Sequence, residues 1–505
     1  MLSGNNTIFS QLINNCILIT LCFISQTIHT NTHTKSSYSE INNTYQSCYC
    51  DFCNEIRQSV FIKTYKKKFE KRTNKKSCLT KKKNTLKNFS QPKRTIMIYM
   101  AADNDLRPFA ARNIQQMANV GSNHNITIIV HLDIRISNNK KITRRYLIEK
   151  DQVLHIDPYN PLTQQMDSGN PATLVSFCEW AIKSYPADEY DLILWNHGTG
   201  ILEPSHGKII NPMDLFVFNP STHRLELDRS IGFMDAIDHL NPQQRGVCWD
   251  DTTGNYLSNR KMEIALQTIC QKFLQGKKFG IIGFDACLMS MIEVSSFIKK
   301  YAHVMVGSEE VELGMGWKYD DVLFPFIKDK LDTFAFARHI VGAYNKTYQS
   351  ITNDYTLSAI NLDSIALLES NIDQVAKLLL EGLEKQKSLF NSLIKESKNK
   401  LVCTHFDEPT YVDLHHFYKN LLYSIKTMSS NNINTNIKSN LIVKLQDGIQ
   451  LIEQIVIANT VGKNLKNAQG ISIYFPERNI HSSYNDAVFL THNAWGSLLN
   501  RYVFG

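Results

Sequence analysis

Past residue 93 the chain changes from a polar, unpatterned text to one of regular apolar runs. TIMIYM (Thr95–Met100), ITIIVHLD (Ile126–Asp133), YDLILWN (Tyr190–Asn196), FGIIGFD (Phe279–Asp285) and HVMVGSE (His303–Glu309) are each hydrophobic with little alternation. Strands of that kind are buried on both faces, as in a parallel sheet covered by helices. Helix-length segments lie between them, the first at Pro108–Val120. The expectation is an α/β fold with an open, mostly parallel sheet and helices on both faces. Beyond Phe326 helical periodicity dominates, at Phe334–Gln349, Leu362–Ser397 and Tyr411–Ser424. Short strands are expected at YTLSAI (Tyr355–Ile360) and GISIYFP (Gly470–Pro476), the last returning to a sheet, and an Asn-rich loop at Asn431–Asn440. The pattern divides the ordered part into an α/β domain, 93–326, and a mainly helical C-terminal subdomain with late strand contributions, 327–505.

The first 92 residues read differently. Cys16–Ile24 (CILITLCFI) is too short to span a membrane but suits the apolar region of a signal peptide, so residues 1–30 are expected to form a leader and the protein to be exported. Residues 31–92 are rich in Lys, Asn, Ser and Thr, cannot bury enough apolar surface to offset their ordering entropy, and are expected to be a disordered pro-segment. The net charge of +8 is concentrated there: Arg57–Arg94 carries a local +14, leaving the remainder at −6. A basic tail binds phosphate without specificity, but the rest of the chain shows no basic patch, so no specific nucleic-acid partner is expected. Cys48, Cys50, Cys53 and Cys78 contain one zinc-like spacing, Cys50-x-x-Cys53, with no histidine pair to complete it. Cys178, Cys248, Cys270 and Cys403 are scattered, in the manner of small buried hydrophobes.

Ligands in open α/β sheets sit beyond the carboxyl ends of the strands. Three such ends carry reactive residues: LILWNHGTG with His197, IIGFDACLMSMIEV with Asp285 and Cys287, and the acidic VGSEEVELGMGW. A cysteine opening a helix gains thiolate character from the helix dipole, and a histidine can move its proton. The backbone N–H groups of Gly198 and Cys287 are candidates for an oxyanion hole.

Over longer stretches the chain resembles the clostripain family of cysteine peptidases, relatives of gingipain, legumain and the caspases. The matching segments are TIMIYMAADNDL (Thr95–Leu106), YDLILWNHGTG (Tyr190–Gly200), WDDTTGNYLS (Trp249–Ser258), GFDACLMSMIEV (Gly283–Val294), GSEEVELGMGWKYDDVL (Gly307–Leu323), YVDLHHFYKNL (Tyr411–Leu421) and GISIYFP (Gly470–Pro476). The resemblance implies a caspase-like fold, a catalytic dyad of His197 and Cys287, protein or peptide substrates and cleavage after basic P1 residues. Asp285 would line the S1 pocket, its alternative role being to cap the helix after Cys287. Similar proteins often carry another polar or acidic residue near the Met315 position; Glu309, Glu310, Asp320 and Asp321 are the available replacements.

The resemblance also implies a precursor cut by itself. The stretch between the two dyad motifs, Leu202–Val247, offers Lys208, Arg224, Arg229 and Arg245 as cleavage points. The chemistry requires no cofactor. Calcium is a possible helper, with Asp103 and Asp105 as weak oxygen ligands and no EF-hand spacing. The rival reading is a family member that has lost activity and serves as a binding or surface protein.

Overall fold

The computed structural model describes residues 93–137, 140–156, 165–203, 215–229, 246–429 and 434–505. The expected leader and pro-segment, with Cys48, Cys50, Cys53 and Cys78, lie outside the described residues, as do Lys208 and Arg245.

A nine-stranded sheet forms the centre. Its strands are β1 (Arg94–Ala102), β2 (Ile126–Ser137), β3 (Lys140–Glu149), β4 (Gln152–His155), β5 (Glu189–Trp195), β6 (Phe279–Asp285), β7 (Ala302–Gly307), β8 (Thr356–Asn361) and β9 (Val456–Val461). The order is β9-β8-β7-β6-β5-β1-β2-β3-β4. The middle five, from β7 to β2, are parallel, and an antiparallel pair extends each side. All nine residues of β1 are buried. Met97, Tyr99 and Ala101 join the core formed with Leu174 and Phe177 of helix Pro171–Ser184. Their neighbours Ile96, Ile98 and Met100, also buried, point to the other face, where helix Arg107–Val120 packs on β1 and β2. The apolar runs of the sequence are therefore strands with helices on both sides.

GISIYFP joins a sheet as expected, Ser472–Tyr474 pairing with Tyr411–Asp413 in a two-stranded sheet apart from the central one. Three other C-terminal expectations need correction. The helix expected from Tyr411 starts instead at Leu414, because Asp413 ends the short strand and its carboxylate accepts the His416 N–H at 2.6 Å. The Asn-rich loop ends early, since Asn434 accepts from the N–H groups of Asn436 and Ile437 and so opens helix Thr435–Ile455. Leu362–Ser397 is two helices, Ile365–Lys385 and Lys387–Ser397, hinged at Gln386. No described helix is long and apolar enough to cross a membrane.

Candidate active site

β5 and β6 are neighbours, in register so that Trp195 pairs with Asp285 at their carboxyl ends. His197 and Cys287 each stand two positions beyond that pair, so the lattice of the sheet brings the two motifs together without any long excursion. Beyond the strands the loops interlock. A Cβ on Gly198 would stand 2.4 Å from the Cys287 carbonyl oxygen, and one on Gly200, whose φ is +66°, would stand 2.7 Å from that of Leu288. Only glycine permits this approach. His197, Cys287 and Asp285 line one narrow cleft together with Glu312 and Leu215. Its enclosed part is about 20 Å³, room for one water-sized sphere.

His197 is buried and fixed from three sides. Its Nε2 lies 2.7 Å from Asp105 Oδ1, its ring packs against Trp249 with centroids 5.3 Å apart, and the preceding Asn196 bridges Ala101 O (2.5 Å) and Trp249 N–H (3.0 Å). WDDTTGNYLS thus serves as the wall behind the histidine. Asp105 was a calcium candidate in the sequence and the histidine contact was missed; the signal was its place just past a strand end. Asp103 accepts Arg135 Nε at 2.9 Å and the Thr252 N–H at 3.2 Å. The two carboxylates are therefore engaged separately by groups of the chain. Among the described residues no group of three or more His, Cys, Asp or Glu could hold a metal ion.

Cys287 does not open a helix, contrary to the expectation. β6 ends at Asp285, a tight turn follows with Leu288 at φ +61°, and the helix begins only at Ile292, with Met291 as its cap. The dipole is too remote to act on the sulfur, since its influence fades within the first turn. The helix-capping alternative for Asp285 falls with it. Instead burial pushes the Cys287 thiol well up, opposed by the Glu312 N–H, which donates to Sγ at 3.3 Å. Held up in this way, the sulfur favours the thiol over the thiolate.

Asp285 is buried beside it. Trp317 N–H donates to Oδ1 at 3.0 Å and the Tyr319 hydroxyl to Oδ2 at 2.8 Å. Desolvation outweighs both and raises its pKa to about 7. None of the four proposed replacement acids lines the cleft. Glu309 accepts from Gly470 N–H, and Glu310 from Arg229 and the Asp407 N–H. Asp320 and Asp321 lie near Lys318 at the surface. Met315 turns its sulfur to Arg112. The cleft's second acid is Glu312, which the sequence analysis did not single out.

Leu215, buried, reaches the cleft from the stretch between the dyad motifs. The hairpin that follows it, Phe216–Asn219 and Arg224–Leu227, is tied down: Arg224 donates to Asn353 Oδ1 at 2.8 Å, and Arg229 to Glu310 at 2.8 Å and Asp354 at 3.3 Å. From the C-terminal part, the Tyr411 hydroxyl accepts the Leu202 N–H (3.0 Å) and donates to Thr199 O (2.6 Å), fixing the loop after His197.

Comparison with known proteins agrees with this geometry. The clostripain from Hathewaya histolytica is 26% identical over 267 residues, covering 48% of this chain and 43% of that protein, so the match spans less than half the relative's length. A secreted C11 cysteine protease of Bacteroides thetaiotaomicron, solved with an irreversible peptide inhibitor, shares the fold at a TM-score of 0.53, 18% identity, and coverage of 80% of this chain and 99% of that one. An inactive zymogen C11 protease of Parabacteroides distasonis gives 0.51 at 18% identity over 81% and 99%. The model of the clostripain family matches residues 98–211 and 234–501. By that match, with its two strand-end motifs meeting at one cleft, the chain belongs to the clostripain family of cysteine peptidases.

Proposed function

We propose that this chain is a cysteine endopeptidase that cuts peptide bonds after basic P1 residues, with Cys287 as nucleophile and His197 as its proton carrier. The observation that carries the reading is the matched placement of the two residues, each two positions past the paired ends of β5 and β6, on one cleft. In the first step Sγ attacks the scissile carbonyl carbon while His197 takes the thiol proton. The tautomer with Nε2–H donating to Asp105 leaves Nδ1 as the base, and Asp105 acts as a positioning residue for the ring. The oxyanion draws on the N–H groups of Gly198 and Cys287. Collapse expels the amine, which receives the proton from His197, and leaves a thioester that water hydrolyses to the acid and free thiol. Asp285 would meet the P1 cation, bidentately for Arg. All groups invoked are side chains and amides of the chain itself.

The same reading includes self-processing of an exported precursor. Leu215 lines the cleft, and a cut in the stretch between the two dyad motifs would free it to withdraw. Arg224 and Arg229 are engaged in the structure, so they are poorer cleavage points than sites elsewhere in the stretch.

The test is hydrolysis of fluorogenic peptides by the purified full chain and by Cys287→Ala. Loss of at least ~10³-fold in kcat/KM is expected, together with a variant that stays a single uncut band. Equal rates in the two proteins would end the peptidase reading and favour an inactive binding protein. In the same assay Asp105→Asn should lower kcat roughly tenfold and spare KM; a change confined to KM would remove Asp105 from its positioning role.

A further inference from the structure

The hairpin that follows Leu215 has two unlike faces. Phe216 pairs with Leu227 and Phe218 with Leu225 across it, while Val217 pairs with Glu226 and Asn219 with Arg224. Successive side chains of a strand point to opposite sides, so the first four residues form an apolar face and the second four a mostly polar one. The polar face is engaged by the chain itself: Glu226 accepts from Asn219 and Thr222 at 2.8 and 2.9 Å, and Arg224 donates to Asn353 at 2.8 Å. The apolar face is a graded stripe, with Leu227 buried, Phe216 and Leu225 half-buried and Phe218 59% exposed. Its buried end adjoins Leu215, which lines the cleft with Cys287 and whose carbonyl accepts the Asp228 N–H at 2.7 Å. Further contacts mount the stripe on the C-terminal part of the chain. Leu225 N–H donates to Ile351 O at 2.9 Å and Leu227 N–H to Asp354 at 3.2 Å, so the stripe stays in place whether or not Leu215 withdraws.

A single exposed apolar side chain is ordinary. Phe218 differs in being the outer end of a continuous strip that begins at the cleft wall, and covering its ring would release apolar surface from water. Continuity with the cleft names the occupant. Resting on the peptidase reading, we propose that this face is a substrate-binding surface, which takes a bulky apolar residue of an extended polypeptide whose scissile bond lies at Cys287. The lengths agree. Phe218 stands three positions from Leu215, about 10 Å at full extension, and an extended substrate advances by the same ~3.3 Å per residue. The substrate residue that meets Phe218 is therefore about three positions beyond the one that meets Leu215. A polypeptide in extended form reaches both places, whereas a blocked single-residue amide reaches only the cleft. The substrate class is an unfolded or loop segment that carries a large aliphatic or aromatic side chain several residues from its basic P1.

Internally quenched decapeptides with arginine at P1 test this on the full-length protein. Leucine or phenylalanine is moved through the other positions, on both sides of the cut, against a serine background. At one or two adjacent positions kcat/KM should rise at least about fivefold, mainly through KM, with a blocked arginine amide as the baseline. Phe218→Ser should abolish the rise and change turnover of the amide by less than about twofold. Val217→Ser removes a side chain 47% exposed from the opposite face and should keep the rise. Replacing P1 arginine by norleucine should lower turnover and preserve the rise, because the stripe acts apart from P1. A flat scan in the wild type, a rise that survives Phe218→Ser, or an equal fall on amide and decapeptides in that variant would overturn the inference. So would a wild type that sediments as a dimer and becomes a monomer on Phe218→Ser, which would give the stripe to a second copy of the chain. A wild-type rate no higher than that of Cys287→Ala would end the peptidase reading itself, and the stripe's role with it.

Discussion

Buried carboxylates gather at two places along the carboxyl edge of the sheet, and they are neutralised in opposite ways. At the β1–β2 end, Asp103, Asp133 and Asp250 surround cations of the chain. Lys141 Nζ lies 3.0 Å from Asp133 Oδ2 and closer still to Asp250, and Arg135 Nε lies 2.9 Å from Asp103. Hydroxyls of Ser168 and Thr143 complete Asp133 at 2.7 and 2.9 Å. At the β5–β6 end, Asp285 and Glu312 have each other and, among the described residues, only neutral hydrogen-bond donors as neighbours, and both line the cleft. The first group is closed in charge and braces the loops that carry Asp103, Asp105 and Trp249. The second has no such cation among the groups acting on it, and it lies beside Cys287. The same residue types are thus closed in charge where the chain supplies the counter-charge and left open where it withholds it.

The largest effect should come from opening the closed group. Lys141→Met strands Asp133 and Asp250 without their cation, and breaking a buried pair by removing one partner typically destabilises by about 3–5 kcal/mol. The urea midpoint should fall accordingly, while the folded fraction keeps its ratio of Arg to norleucine turnover. A variant of unchanged midpoint and altered ratio would erase the distinction between the two groups.

Asp285→Asn approaches the comparison from the open side. Loss of a charge-assisted contact should reduce kcat/KM for basic P1 peptides by roughly 10–100-fold and spare norleucine. Its pH dependence has a definite sign. Burial raises the Asp285 pKa from 3.8 to about 7, so between those values the folded state holds a proton that the unfolded chain has lost. The stability this confers is complete below pH 3.8 and is lost as pH rises through about 7. Asn removes the titration, so the melting temperature of the variant should exceed that of the wild type by more at pH 8 than at pH 5. In the wild type the preference for basic P1 should grow as pH rises through about 7, since only the ionised acid attracts the cation; in Asp285→Asn it should be flat. A wild-type preference that does not change over that range would detach Asp285 from the P1 cation.

What could be read in the sequence follows the same division. Runs such as FGIIGFD show themselves because both faces of a central strand must be apolar, and the residues just past them are where a parallel sheet presents its chemistry. His197 and Cys287 stand out as candidates in the sequence for that reason. β3 and β4 were not, because they lie toward the sheet margin and alternate buried with half-exposed positions, as in KKITRRYLIE. Asp105 and Glu312 were hidden by their neighbours: each stands in a run of acids whose members differ only in what tertiary contacts they meet. Glu310 finds Arg229, Asp103 finds Arg135, and Glu312 finds no cation among the described residues. Counting carboxylates in AADNDL or SEEVEL cannot tell a closed group from an open one, because the counter-charges come from 32 and 81 positions away. The expected dipole on Cys287 failed for a local reason, the turn at Leu288, which delays the helix to Ile292.

The smallest effect tests whether the closed group is closed to metals as well. Asp103 already accepts Arg135 and the Thr252 N–H, and Asp133 and Asp250 hold Lys141 between them. A calcium ion would have to displace two protein cations and still find six or more oxygens, and among the described residues no cluster of three or more suitable side chains offers them. Chelation with EGTA should therefore leave kcat/KM within about twofold and the melting temperature unmoved, because a ligand that does not bind the native state cannot stabilise it. If EGTA lowers both and calcium restores them in the wild type but not in Asp103→Asn, the β1–β2 acids bind a metal after all, and charge closure by Lys141 and Arg135 no longer separates the two ends of the sheet.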